Sequence, residues 1–146
     1  MLQRRQFLQS AAASISAAGL VGCDPFDVVV PRTNNLDIQR ARYNVMPNQL
    51  TTNMVSLSPD AAPPILRAKQ GVPFTATVTN RLPDYTTMHW HGIRLPNEMD
   101  GVPYLTQFPL GKDESFTYTF TPPDAGTYWY HPHCMTMEQM ALGLTG

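Results

Sequence analysis

From Phe74 to Asn80 the chain alternates without a break: Phe74, Ala76 and Val78 are apolar, while Thr75, Thr77 and Thr79 are polar. A period of two places one set on a buried face and the other in water, which predicts a half-buried β-strand. Residues 115–121 repeat the device, with Phe116, Tyr118 and Phe120 expected inward. Shorter runs at 65–69, 87–91 and 126–131 read as further strands. Leu82-Pro83-Asp84, Leu110-Gly111-Lys112-Asp113 and Pro122-Pro123-Asp124-Ala125-Gly126 supply the turn chemistry between them. Short strands at this spacing predict an all-β domain, a Greek-key β-sandwich over residues 61–146. Residues 136–144 read as a short helix. No final apolar strand follows it, so the sandwich is expected to be incomplete at its C-terminus. Residues 23–60, rich in Pro, Asn, Asp and Ser, read as a tether and irregular chain with at most one early strand.

Composition agrees. Fourteen prolines and nine glycines in 146 residues favour many short elements joined by turns. A hydrophobic content of 42% is too high for a disordered chain, and 14% charged residues too few for a helical bundle. The net charge of -1 leaves no basic footprint for nucleic acid. No apolar run reaches the roughly 20 residues of a membrane span.

Residues 1–22 read as a signal peptide rather than fold: a basic start, a soft apolar middle and a small-residue end. Arg4-Arg5-Gln6-Phe7-Leu8 has the form of a twin-arginine export signal. Leu20-Val21-Gly22-Cys23 has the form of a lipobox, which makes Cys23 the lipidated first residue of the mature protein. Lipid chains there would hold the domain at a membrane surface without spanning it. With Asp24 following, the expected location is the periplasmic side of the inner membrane.

All four histidines fall in two pairs, His89-Trp90-His91 and His131-Pro132-His133. Residues two apart on a strand point the same way, so each pair projects two imidazoles from one edge, roughly 6–7 Å apart along the backbone. Trp90 then points into packing. Pro132, lacking an N–H, belongs at a strand end. Imidazole clusters suit copper, zinc, iron and nickel. A structural zinc site draws on cysteine or closely spaced loop ligands, whereas these pairs lie 40 residues apart. A cupin would place a glutamate four or five residues after the first pair; the next acid after His91 is Glu98. The metallo-β-lactamase pattern fails at Gly92-Ile93-Arg94.

Three motifs in order carry a resemblance. Thr87-Met-His-Trp-His-Gly92, then Asp100-Gly-Val-Pro103 with Thr106-Gln107, then Gly126-Thr-Tyr-Trp-Tyr-His-Pro-His133 resemble the first cupredoxin domain of the multicopper oxidases, the family that includes laccases. The resemblance implies that the four histidines supply half the ligands of a three-copper cluster. His89 would bind the type 2 copper, His91 and His131 one type 3 copper, and His133 the other. Asp100 matches an acid behind the cluster that assists dioxygen reduction and proton delivery; as a turn residue before Gly101 it also has a plain structural role. The implied partners are dioxygen and a small reducing substrate.

The chain departs from that family in one respect. A type 1 copper site, with its cysteine, two histidines and methionine, is not written in these residues. Cys134 follows His131 and His133 instead of preceding them, so it reads as an incidental position. Two hypotheses stand: a domain of a multicopper oxidase whose other ligands lie in further cupredoxin domains, or a stand-alone, non-enzymatic copper module for delivery or sensing. A zinc-binding sandwich is a third.

Overall fold

The computed structural model of the chain describes residues 33–146. The signal peptide, the Arg4-Arg5 pair and Cys23 lie outside the described residues. Six strands and one short helix follow in order: β1 (Thr33–Met46), β2 (Gln49–Ser56), β3 (Phe74–Asn80), β4 (His89–His91), β5 (Ser115–Phe120), β6 (Trp129–His131) and α1 (Thr136–Ala141). β2, β1, β3 and β5 form one sheet in that order, and β4 with β6 a two-stranded ribbon. The chain crosses from sheet to ribbon, returns once to the sheet and ends in the ribbon, so the domain is an all-β sandwich.

The alternation expected in β3 and β5 is realised as antiparallel pairing, Phe74 opposite Phe120 through Thr79 opposite Ser115. On the outer face the polar partners form hydroxyl pairs: Thr75–Thr119 at 3.3 Å, Thr77–Thr117 at 3.0 Å and Thr79–Ser115 at 2.8 Å. On the inner face Phe74, Ala76, Val78, Tyr118 and Phe120 are buried. Trp90 of the ribbon enters this face, with its ring 5.6 Å from Phe74, 5.4 Å from Tyr118 and 5.5 Å from Phe120. An aromatic of this size, buried edge-on among three rings, ties the ribbon to the sheet. Because successive residues alternate across a strand, Trp90 inward puts His89 and His91 outward, and Tyr130 inward does the same for Trp129 and His131.

Three expectations need correction. Residues 33–56 are not irregular tether. β1 is 14 residues long, pairing in parallel with β3 through Thr33–Ile38 and antiparallel with β2 through Gln39–Met46. Its signal was present in Leu36-Asp37-Ile38-Gln39, where both apolar residues are buried. Beyond it Arg40-Ala41-Arg42-Tyr43-Asn44-Val45 alternates again in shifted phase, with Ala41 buried and Val45 exposed, and its backbone is held by β2. The sandwich therefore begins well before residue 61. Conversely, residues 65–69 form no strand, and Ile65 is 81% exposed. Pro63 and Pro64 remove two donors just before it, and no described strand lies alongside to complete a ladder. The helix is shorter than 136–144. It ends in a Schellman cap: Gly143, at φ +104°, donates to Met140 O, and Leu144 donates to Gln139 O at 3.0 Å. A Cβ on Gly143 would collide with the Tyr43 hydroxyl, so this turn admits only glycine.

Candidate metal centre

β4 and β6 pair antiparallel with His89 opposite His131, Trp90 opposite Tyr130 and His91 opposite Trp129. Register alone thus brings the two histidine pairs, 40 residues apart in sequence, onto one face. The His91 Nδ1 and His131 Nε2 atoms face each other at 3.1 Å. One ligand atom from each of His89, His91 and His131 can be chosen so that all three lie within 4.8 Å of one another. His133 lies beyond the end of β6. Its ring centroid is 5.3 Å from that of His89 and 6.2 Å from that of His131. It is adjacent to the trio rather than part of it.

Two rings are oriented from behind. His89 Nδ1 lies 2.7 Å from the Asp100 carbonyl oxygen and 3.2 Å from its carboxylate Oδ1. With the proton on Nδ1, the carbonyl contact is a hydrogen bond, the carboxylate lies beside it, and Nε2 is left to a metal. His131 Nδ1 lies 3.0 Å from the Pro132 carbonyl oxygen, with the same consequence. His131 is the buried member, at 7% exposure. Burial lowers its pKa, with smaller contributions from the neighbouring imidazoles, so the neutral ligand form is favoured.

Asp100 reaches His89 because its loop is pinned at two points. The buried Tyr118 hydroxyl accepts the Met88 backbone N–H at 3.1 Å and donates to Gln107 Oε1 at 2.7 Å. At the other end Gly101 lies flat against Met88 and His89, where no side chain fits. Gln107 and Tyr118 were absent from the candidate list drawn from sequence. Gln107 stood in a motif, but its partner is 11 residues away and only folding pairs them. Cys134 is partly buried, and burial raises its thiol pKa. It is absent from the three-ligand group.

A family model for multicopper oxidases matches residues 37–146. The chain belongs to the multicopper oxidase family. Copper resistance protein A of Escherichia coli is 49% identical over 76 residues, covering 52% of this chain and 13% of that protein. A copper resistance protein A homolog of Pseudomonas syringae pv. tomato is 34% identical, covering 95% of this chain and 25% of that protein. The crystal structure of Lac15 from a marine microbial metagenome matches with a TM-score of 0.72 at 38% identity, over 77% of this chain and 30% of that one. The chain thus spans a quarter or less of the length of these two curated relatives.

Membership of the multicopper oxidase family makes the sandwich a cupredoxin-like one and makes copper the metal to test against the site. The residues fit it. The clustered donors are all imidazole nitrogens, a set suited to copper. Bonds of about 2 Å to one ion bring neighbouring ligand nitrogens to roughly the separation seen between His91 and His131. The ribbon edge is open, with His91 and His133 exposed, leaving room for further ligands and for a small molecule.

Proposed function

We propose that this chain supplies half of the ligands of a trinuclear copper cluster, in an oxidase that couples oxidation of a small reducing substrate to reduction of dioxygen to water. The observation that carries the proposal is the convergence of His89, His91 and His131 on one ribbon face, with ligand atoms within 4.8 Å. His89 takes the type 2 ion, His91 and His131 one type 3 ion, and His133 the other. Copper, when bound, supplies the one-electron steps that four-electron reduction of dioxygen requires. The remaining ligands and the type 1 site come from further cupredoxin domains, since these 146 residues hold no fifth histidine.

The chain's own residues bind, orient and carry protons. His89 and His131 present Nε2 because Nδ1 is held by a backbone carbonyl in each case. Asp100 keeps a carboxylate oxygen 3.2 Å from His89 Nδ1, and its side chain is 31% exposed. From there it can hydrogen-bond to water and relay protons towards the cluster, which is the role assigned to it.

The test is metal analysis and copper titration of the whole chain, with and without His89→Ala plus His133→Ala. The proposal expects stoichiometric copper in the parent and a clear drop in the double variant. Unchanged uptake would overturn the ligand assignment, and stoichiometric zinc without copper would overturn the metal.

The same reading places the protein outside the cytoplasm. Residues 1–22 act as a twin-arginine signal, and lipidated Cys23 holds the domain at the periplasmic face of the inner membrane. Cys23→Ser is expected to move the exported protein from the membrane pellet to the soluble periplasmic extract. A variant that stays in the pellet rules the anchor out.

A further inference from the structure

Period-two alternation puts four side chains on the outer face of the β4–β6 ribbon: His89, His91, Trp129 and His131. Three are the clustered ligands. The fourth is an indole that remains 39% exposed. Its position is not explained by the core, because Trp90 and Tyr130 fill the inner face of the same ribbon. Trp129 lies instead against two ligands at once. Its ring stacks on His131 at 4.1 Å and 29°, and packs against His91 in a tilted arrangement at 4.7 Å and 36°.

The hydrogen bonds show why that matters. His89 is held by Asp100 and His131 by the Pro132 carbonyl, in both cases through the nitrogen that faces away from a metal. Among the described residues His91 has no such tether. Its one hydrogen bond runs from Nδ1 to His131 Nε2, the atom pair that an ion between them would occupy. Metal binding removes that bond. The ring is then left with packing alone to fix its plane, and the indole face of Trp129 is the packing.

We propose that Trp129 is a positioning residue for the copper pair: its indole face packs on both rings and fixes the tilt of His91 against His131, so that the two nitrogens face one another at 3.1 Å. This rests on the ligand reading given above. Trp129 takes for His91 the place that a hydrogen-bonded carbonyl takes for the other two rings. The stack exists before metal arrives, so it leaves a signature in the copper-free protein.

The test uses the full chain as parent, Trp129→Leu, Trp129→Phe and His91→Ala, each titrated with Cu²⁺ alone. Copper-free proton NMR reads the stack directly. In the parent, the His91 ring protons are expected upfield of a free imidazole because they lie over the indole. Trp129→Leu is expected to lose that shift and to bind Cu²⁺ about tenfold more weakly, the scale of an outer-shell orienting contact. Trp129→Phe, which keeps an aromatic face, is expected to restore much of both. A parent without the upfield shift overturns the proposal whatever the variants do. So does a Trp129→Leu protein that melts at lower temperature but binds Cu²⁺ as the parent does, since that is a purely structural role. If Trp129→Leu is neutral while His91→Ala loses copper, the ligand assignment survives and only the role of Trp129 falls. If His91→Ala binds as the parent does, the assignment falls and the inference with it.

Discussion

His131→Ala is expected to cost the chain at least about 100-fold in copper affinity, more than the roughly 10–100-fold that an outer-shell partner is worth. His131, like His89, has its ring beside all three of the other histidines, and it is the buried one of the two. Its ring lies 5.1 Å from His89, 5.3 Å from His91 and 6.2 Å from His133. Its Nε2 is one half of the 3.1 Å nitrogen pair. Removing it takes a ligand from the clustered trio and leaves Trp129 without the ring it stacks on. Because the residue is buried, alanine also opens a small cavity. His131→Gln, which fills more of that space, separates lost packing from lost coordination. Isothermal titration with Cu²⁺ checks both variants, with circular dichroism to establish that each is folded. Parent-like affinity in the folded glutamine variant would show that His131 is not a ligand.

Gly101→Ala is expected to have the largest effect on the fold while replacing no ligand. Gly101 sits at φ +73°, a left-handed conformation that costs a side-chain-bearing residue on the order of 1–3 kcal/mol. The larger obstacle is space. A Cβ there would overlap the Met88 carbonyl oxygen and lie 2.6 Å from its carbon and 3.2 Å from the His89 nitrogen. These are backbone atoms at the entrance to β4 and cannot swing aside as a side chain could. The loop must lift, and the His89 Nδ1 contact to Asp100 at 2.7 Å lifts with it. A loss of about 2–4 kcal/mol is expected, seen as a melting temperature lower by roughly 10 °C. Copper affinity should fall alongside, through the untethered His89. A melting curve that overlays the parent's would mean that the loop does not press on β4. Asp100→Asn makes a useful contrast, because it keeps the backbone carbonyl that orients His89 and removes only the carboxylate.

How much of this was legible beforehand differs by element, for physical reasons. β3 and β5 were readable because their alternation is strict and their polar faces meet only each other and water. The segment at 65–69 was misread because apolar residues in extended chain make a strand only when a neighbour completes the ladder. β1 was underestimated because its alternation slips phase at Gln39-Arg40, where the strand passes from pairing with β3 to pairing with β2, and backbone pairing is something side-chain patterning does not record. The site divides in the same way. Two His-x-His pairs, a loop acid and their order pointed by themselves to the multicopper oxidase family and to an imidazole cluster. Sequence spacing also told that each pair shares a side.

Tertiary structure alone decided the rest. The antiparallel register of β4 and β6 set His131 opposite His89 and brought His91 to 3.1 Å from it, a pairing across 40 residues that no local pattern encodes. The Met88–Tyr118–Gln107 chain of hydrogen bonds brought the Asp100 loop against His89. The same register set Trp129, one aromatic among several in its motif, against the rings of His91 and His131. Residue types and their period are local properties and can be read along the chain. Which rings face one another depends on how strands are set side by side, and that is settled only when the sandwich closes around Trp90.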